Sequence, residues 1–183
     1  MNLQHLDIKL FVDGDLTIDW HQFIEIFHGW TAAQSMPEMM IDVVEYRHVA
    51  NGPGVVMVGH EADYAMDDTA GRPGLRYNCK IKQEGSNADR IQRAFAAASS
   101  ACVRLENELT GLSFDRGEFQ LTVKDRAIAP NNIETRKNVG VELPGVLENI
   151  FGTDELQIEY EQDPRKLFSA TVKFVKPFEL TTG

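Results

Sequence analysis

Apolar and polar side chains alternate along several short segments of this chain, and such alternation is typical of a sheet with one buried face. The first segment is residues 6–12, and residues 40–49, 55–66 and 75–82 continue the pattern. On these three strands one face is predicted to be apolar, and its members are Val44, Tyr46, Val56, Val58, Ala62, Tyr64, Tyr77, Cys79 and Ile81. The opposite face is predicted to carry mixed charge, on Glu45, Arg47, Glu61, Asp63, Arg76, Asn78, Lys80 and Lys82.

Apolar residues at three- and four-residue spacing predict helices between the strands. The first helix follows the cap residue Asp19, and a long helix occupies residues 86–111. A later helical region is interrupted by Gly140 and Pro144, so we expect two short helices that end near Gly152. Further strands are expected on both sides of this region.

These elements predict a single α+β domain over residues 1–183, in the order β-α-β-β-β-α-β-α-β-β. We expect a mostly antiparallel sheet of about seven strands with helices packed on one face. The hydrophobic fraction of 43% suits a packed core, and no low-complexity linker divides the chain. Short matches, "FIEIFHGWT" with "VLENIFGTD" and "VVEY" with "QIEY", suggest a diverged internal duplication.

The order β-α-β-β-β, read twice, resembles the paired modules of the vicinal oxygen chelate (glyoxalase-like) proteins. That resemblance implies a divalent metal, and His5 stands at the start of the first strand, where the family often places a ligand. The sequence departs from the family pattern on the fourth strand, which offers no acid but Arg76, Asn78, Lys80 and Lys82. The second half also lacks its last strand.

The charge balance argues against polyanionic partners. The chain has 28 acidic and 18 basic side chains, a formal net charge of -10, and its Lys and Arg residues are scattered. Nucleic acids and anionic membrane surfaces are bound by clustered cations, so we expect neither as a partner. The chain begins without a basic region and an apolar stretch, so no signal peptide is expected and the predicted location is the cytoplasm.

Cysteine usage and motifs narrow the chemistry further. Cys79 and Cys102 have no metal-finger or CxxC spacing, so we interpret them as reduced core residues. The sequence contains no GxxxxGK[ST], no GxGxxG between a strand and a helix, and no GxSxG. The cofactor therefore stays unknown, and no motif for a nucleotide cofactor is present.

A cluster of polar side chains on the predicted apolar face is the candidate catalytic site. By strand alternation, His48 and His60 fall beside Tyr46 and Tyr64, with Asp42 at the edge as a candidate ligand-binding residue. Imidazole and phenol groups in an apolar wall could bind a small molecule or act as an acid–base pair. The alternative is a core whose polar atoms bond to the backbone.

The segment 67–74 is the second candidate, because it is longer than a tight hairpin needs. Within it, Arg72 lies between glycines and could bind a carboxylate or phosphate of a ligand. The alternative is a surface loop in which proline and glycine only set the turn.

The first helix carries the third candidate, a set of metal ligands. His21, Glu25 and His28 follow the spacing i, i+4 and i+7, which puts them on one helical face and suits zinc. The alternative is the solvent-facing side of an amphipathic helix. We therefore commit to no metal site.

Two classes of function remain open. We favour a non-catalytic domain that binds a small ligand or another protein, including a second copy of itself. An adaptable apolar contact for this role could come from Trp30, Met36, Met39 and Met40. The alternative is a small-molecule enzyme with a His/Tyr acid–base pocket, in one version dependent on a divalent metal.

Overall fold

The computed structural model describes residues 1–50 and 52–182. Its strands are β1 Leu6–Val12, β2 Met40–Glu45, β3 Val55–Gly59, β4 Ala62–Asp67, β5 Gly74–Cys79, β6 Phe114–Val123, β7 Leu156–Tyr160 and β8 Phe168–Phe174. Its helices are α1 Trp20–Ala33, α2 Asn87–Glu108 and α3 Ile133–Phe151, and a 3-10 turn covers Thr69–Gly71.

The strands form one sheet in the order β2-β3-β4-β5-β1-β6-β8-β7, with every neighbouring pair antiparallel. β1 lies inside the sheet between β5 and β6 and joins the two halves of the chain. The predicted α+β class and antiparallel sheet are therefore confirmed. The described residues contain eight strands, where the sequence pattern indicated about seven.

The helices cover one face of the sheet and build the core there. Ile8 and Leu10 of β1 point toward them and are completely buried. Phe95 of α2 lies 5.2 Å from Phe119 of β6 and 4.8 Å from Phe151 of α3, measured between ring centroids. One apolar layer between sheet and helices thus holds the fold together. The other face of the sheet, which we call the open face, carries no helix among residues 1–50 and 52–182.

The extra strand arises because residues 55–66 are two strands. His60 and Glu61 form a tight turn, and Val58 pairs with Asp63 across it. Gly59 closes this turn, where an added Cβ would lie only 2.4 Å from the carbonyl oxygen of Ala62. A two-residue turn reverses the alternation, so the prediction that β2 and β3 share their apolar face with Tyr64 was wrong. Val44, Val56 and Val58 lie on the open face, opposite Tyr64.

The third helix also differs from expectation, because α3 is one helix that contains Pro144. Val139 and Leu143 lie before the proline and Leu147 lies after it, and all three are buried in the same core. Packing on both sides of Pro144 therefore keeps the helix continuous, although proline removes one backbone donor.

Each half of the chain follows a similar plan. A strand is followed by a helix and then by antiparallel strands, the last of which returns beside the first. Four strands follow α1, however, and two follow α3. The first half of the described chain thus has one strand more than the predicted order β-α-β-β-β, on which the glyoxalase-like resemblance rested. The second half has two strands after its helix, as expected. The internal duplication stays a prediction.

None of the helices in the described residues combines the length and the apolar character needed to cross a membrane.

Candidate functional site on the open face

The centre of the open face is polar, although it is buried. Asp7 and Lys9 alternate with apolar residues on β1, and only 1% and 2% of their surfaces are exposed. Asp7 pairs laterally with Asn78, and Lys9 pairs with Arg76. Laterally paired residues share a face of an antiparallel sheet, so charged groups of adjacent strands meet here.

These groups form a continuous network of ion pairs. Lys9 Nζ lies 3.0 Å from Asp67 Oδ1, and Arg76 Nε lies 2.7 Å from Asp67 Oδ2. Arg76 Nη1 also donates to both Asp7 oxygens at 3.3 Å, and Lys124 Nζ lies 3.3 Å from Asp7 Oδ2. Burying charges costs several kcal/mol per ion unless they are paired. The pairing therefore fixes the positions of Arg76 and Lys124.

The pKa directions agree with a network that stays charged around Asp67. Burial opposes the charge of Arg76, but Asp7 and Asp67 outweigh it and raise the arginine pKa. Burial likewise opposes the charge of Asp67, but Arg76 and Lys9 outweigh it and lower the carboxyl pKa. For Lys9 burial dominates and lowers the pKa in spite of the nearby Asp67. Arg76 and Asp67 are accordingly both ionised at neutral pH.

Next to this network the open face forms a cleft of about 290 Å³. Its apolar wall consists of Tyr46, Pro53, Val56, Val58 and Ala65. Its polar wall consists of Asp63, Arg76, Asn78 and Lys124. The volume is close to the lower end of the about 300–1,000 Å³ range of ligand pockets, and the mixture of walls is typical of them.

A wider, shallower depression of about 640 Å³ adjoins the cleft and shares Asn78 and Lys124 with it. It lies where β5 and β6 end and β1 begins. Its rim includes His5, Lys80 and Arg126. Lys80 Nζ lies 2.7 Å from Asp63 Oδ1, whereas Arg126 Nη2 donates to the backbone oxygen of Arg165 at 2.6 Å. The cleft thus continues into a basic rim.

The structure does not assemble the predicted His/Tyr pocket. His48 lies in the segment between β2 and β3, His60 lies in the turn between β3 and β4, and both are exposed. His48 therefore precedes β3 and His60 follows it, so the strand separates the two histidines along the chain. Their predicted position on the apolar face was wrong, because the first follows the end of β2 and the second lies in the unrecognised turn.

The two candidate tyrosines lie on opposite sides of the sheet. Tyr46 lines the open-face cleft. Tyr64 is fully buried on the helix side, where its hydroxyl donates to Glu38 Oε2 at 2.9 Å. Tyr77 donates to Glu38 Oε1 at 3.2 Å, so one carboxylate bridges two phenols. The Tyr64 hydroxyl is thus already hydrogen-bonded, and this bond anchors the segment between α1 and β2.

The candidate ligand-binding residues Asp42 and Arg72 lie apart. Asp42 is exposed on the edge strand β2, and its Oδ1 accepts from the backbone N of Val43 at 2.8 Å. Arg72 stacks over the ring of Phe11 at 3.7 Å and pairs with Glu118. Neither lines the cleft. Their roles in ligand binding stay predictions, and Arg72 is already engaged by an aromatic ring and a carboxylate.

The three candidate metal ligands lie on the exposed side of α1. His21 Nε2 and Glu25 Oε1 are 3.4 Å apart, and both side chains are about two-thirds exposed. His28 is exposed on the same helix. Within residues 1–50 and 52–182, no three His, Cys, Asp or Glu side chains are grouped closely enough to hold a metal ion.

The apolar set proposed as an adaptable contact mostly belongs to the core. Trp30, Met36 and Met40 are buried, with exposed fractions of 4%, 8% and 3%. Met39 is 59% exposed, and Ile41 beside it is 58% exposed. The expected contact surface at this position is therefore reduced to two side chains near the sheet edge.

The polar wall of the cleft was not among the residues singled out from sequence. Strand alternation predicts Arg76 and Asn78 on a charged, solvent-facing side, and it does not predict Asp7 and Lys9 as site residues. A usable signal was nevertheless present, since "LDIKLFV" places an acid and a base on one face of a strand whose other residues are apolar. Lys124 gives no such signal, because it follows the end of β6 and reaches the site only through the sheet register.

Comparison of the sequence with models of known protein families found no match, and comparison with curated proteins found no similar sequence.

Proposed function

We propose that this chain is a non-catalytic small-ligand-binding protein whose site is the open-face cleft. The observation that carries the proposal is the meeting of an apolar wall with Arg76 and Lys124, both held by the buried Asp7. A ligand site needs apolar surface for affinity and a few placed polar groups for orientation. Because the ion pairs already hold the cations, little of their freedom is lost on binding.

The contacts that the carboxylates make at the cleft favour binding over catalysis. Asp7 is shared by Arg76 and Lys124, and Asp63 accepts from Lys80 and Asn78. Carboxylates whose oxygens are engaged in this way hold the neighbouring cations and amide in place, which suits the positioning of a ligand.

A cleft-filling variant tests this proposal. Ala65 is 5% exposed and belongs to the apolar wall, so Ala65→Trp should occupy much of the cleft. The matched control is Ala32→Trp, an exposed position on α1 on the other side of the sheet. A panel of neutral and charged fragments would be screened by two-dimensional amide NMR against the unmodified chain and both variants.

We expect fragments to shift amide signals of β3, β4 and β5, and we expect Ala65→Trp but not Ala32→Trp to abolish these shifts. Thermal melting of each variant establishes that it is folded. Fragments that bind only elsewhere, or shifts that persist in a folded Ala65→Trp variant, would contradict the cleft as the site.

A further inference from the structure

The charges around the cleft run opposite to those of the whole molecule. The side chains that line the cleft and the adjoining depression include four cations, Arg76, Lys80, Lys124 and Arg126, but only two carboxylates, Asp63 and Asp125. The whole chain has 28 acidic residues against 18 basic ones. An anion would therefore find an attractive site here, on a molecule that otherwise repels it.

Two cationic side chains at the boundary of the apolar wall can donate further hydrogen bonds. The ion pairs of Arg76 use Nε and Nη1, and Nη2 makes no hydrogen bond within residues 1–50 and 52–182. Lys124 has a single ion pair, with Asp7 at 3.3 Å, and its side chain is 38% exposed. Both residues line the cleft together with Val56 and Val58.

The charge count favours an anion of one negative charge. The network brings three cations, Lys9, Arg76 and Lys124. The two buried carboxylates, Asp7 and Asp67, neutralise two of these charges and leave one positive charge. A carboxylate would neutralise the remaining positive charge, whereas a phosphate dianion would bring excess negative charge close to Asp7 and Asp63. The two oxygens of a carboxylate can accept from Nη2 of Arg76 and from Nζ of Lys124.

We infer that the ligand of this cleft is a small amphipathic monocarboxylate, with its carboxylate at Arg76 and Lys124 and its apolar part on Val56, Val58 and Ala65. This inference rests on the proposed function, because it assigns a ligand class to the same cleft. Arg76 remains charged over the whole neutral range, so the carboxylate contact does not depend on a proton taken up by the arginine.

The test compares three probes with six carbon atoms each: hexanoate, hexanamide and hexylphosphonate. Each would be titrated into the full chain and followed by amide NMR shifts of β3, β4 and β5. We expect hexanoate to bind at least about 10-fold more tightly than hexanamide, as charge-assisted hydrogen bonds are the stronger kind. We expect hexylphosphonate to bind no more tightly than hexanoate.

Two matched variants locate the carboxylate. Lys124→Gln should weaken hexanoate binding about 5- to 20-fold and leave hexanamide binding unchanged. Lys173→Gln is the control, because Lys173 also lies on the open face but pairs with Glu159 on β7. Arg76→Lys keeps the charge that Asp7 and Asp67 require, and we expect it to weaken hexanoate binding through the loss of the Nη2 donor.

The outcomes separate the inference from the proposed function. If hexanamide binds in the cleft as tightly as hexanoate, or if Lys124→Gln leaves hexanoate binding unaltered, the ligand class is wrong and the cleft remains a binding site. Tighter binding of hexylphosphonate than of hexanoate would also overturn the carboxylate assignment. If no probe shifts the amides of the cleft strands, both the inference and the proposed function fail.

Discussion

The two buried tyrosines illustrate how the fold uses single polar groups. Tyr64 and Tyr77 face each other with ring centroids 5.1 Å apart, and both hydroxyls donate to Glu38. Burial, together with the nearby Glu38 carboxylate, raises the pKa of both phenols. The helix side of the sheet thus buries phenols in a neutral state, whereas the open face buries paired charges.

Alkaline pH is expected to destabilise the protein through these tyrosines. Unfolded tyrosines ionise near pH 10, whereas Tyr64 and Tyr77 ionise only at higher pH in the folded state. Above about pH 10 the unfolded state therefore binds fewer protons, and the free energy of unfolding falls as pH rises. Tyr77→Phe should reduce this slope by about 1 kcal/mol per pH unit, measured by urea unfolding between about pH 9 and 11.

Tyr160→Phe provides the comparison for this experiment. Tyr160 is only partly buried, and burial alone raises its pKa, without a carboxylate partner. Its removal should therefore change the slope less than the removal of Tyr77. Equal slopes for the unmodified chain and Tyr77→Phe would show that the hydroxyl of Tyr77 ionises equally in both states.

At the scale of elements, local signals and tertiary packing disagree at two positions. The turn at His60 and Glu61 carries one glycine before it and no Asn-Gly or proline signal, so the sequence pattern continues through it as one strand. Pro144 gives the opposite error, since a strong breaker lies inside a continuous helix. In both cases the burial of neighbouring residues outweighs the local preference.

Replacement of Pro144 is expected to stabilise the protein. Pro144 is exposed in α3 and has no N–H to donate to the carbonyl of Gly140 four residues earlier. Pro144→Ala restores that donor and removes the contact of the ring with the carbonyl, partly offset by the greater freedom of the unfolded chain. We expect the free energy of unfolding to rise by about 1–2 kcal/mol in urea titrations.

Pro130→Ala is the matched control for this measurement. Pro130 precedes α3, and its carbonyl accepts from Asn132 N, so it lies outside the helical hydrogen-bond pattern. We expect no stabilisation there. A loss of stability in Pro144→Ala would mean that the bend at the proline is needed to pack Val139 and Leu147 together.

For the whole molecule, the central strand makes the two halves one structure. β1 pairs with β5 of its own half and with β6 of the second half. Phe95 of α2 and Phe119 of β6 pack in the same layer with Phe151 and Phe178. The core layer therefore takes side chains from both halves of the chain, and the single domain stays a prediction.

A single unfolding transition is therefore expected. Both tryptophans, Trp20 and Trp30, lie on α1, so tryptophan fluorescence reports on the first half of the chain. Far-UV circular dichroism reports on all helices and strands. We expect the two signals to change at the same urea concentration, as in a two-state transition. If fluorescence changed at a clearly different concentration, the halves would be separate folding units.

The sequence by itself determined the class of fold and most of its elements. Alternation predicts the strands, three- and four-residue spacing predicts α1 and α2, and the net charge of -10 argues against polyanions. The strand and helix patterns depend on neighbouring residues, and the net charge is a sum over the composition. Both can therefore be obtained without the tertiary structure. The sequence also indicated that Arg76 and Asn78 share a charged face.

Only the tertiary structure decided the strand order, the face of Val56 and Val58, and the location of the candidate site. Asp7, Asp67, Arg76 and Lys124 come from four separate parts of the chain and meet because β4, β5, β1 and β6 are neighbours in the sheet. Reversal of alternation by one two-residue turn moves a whole strand to the other face. Such a site depends on register between distant segments, which no local pattern encodes.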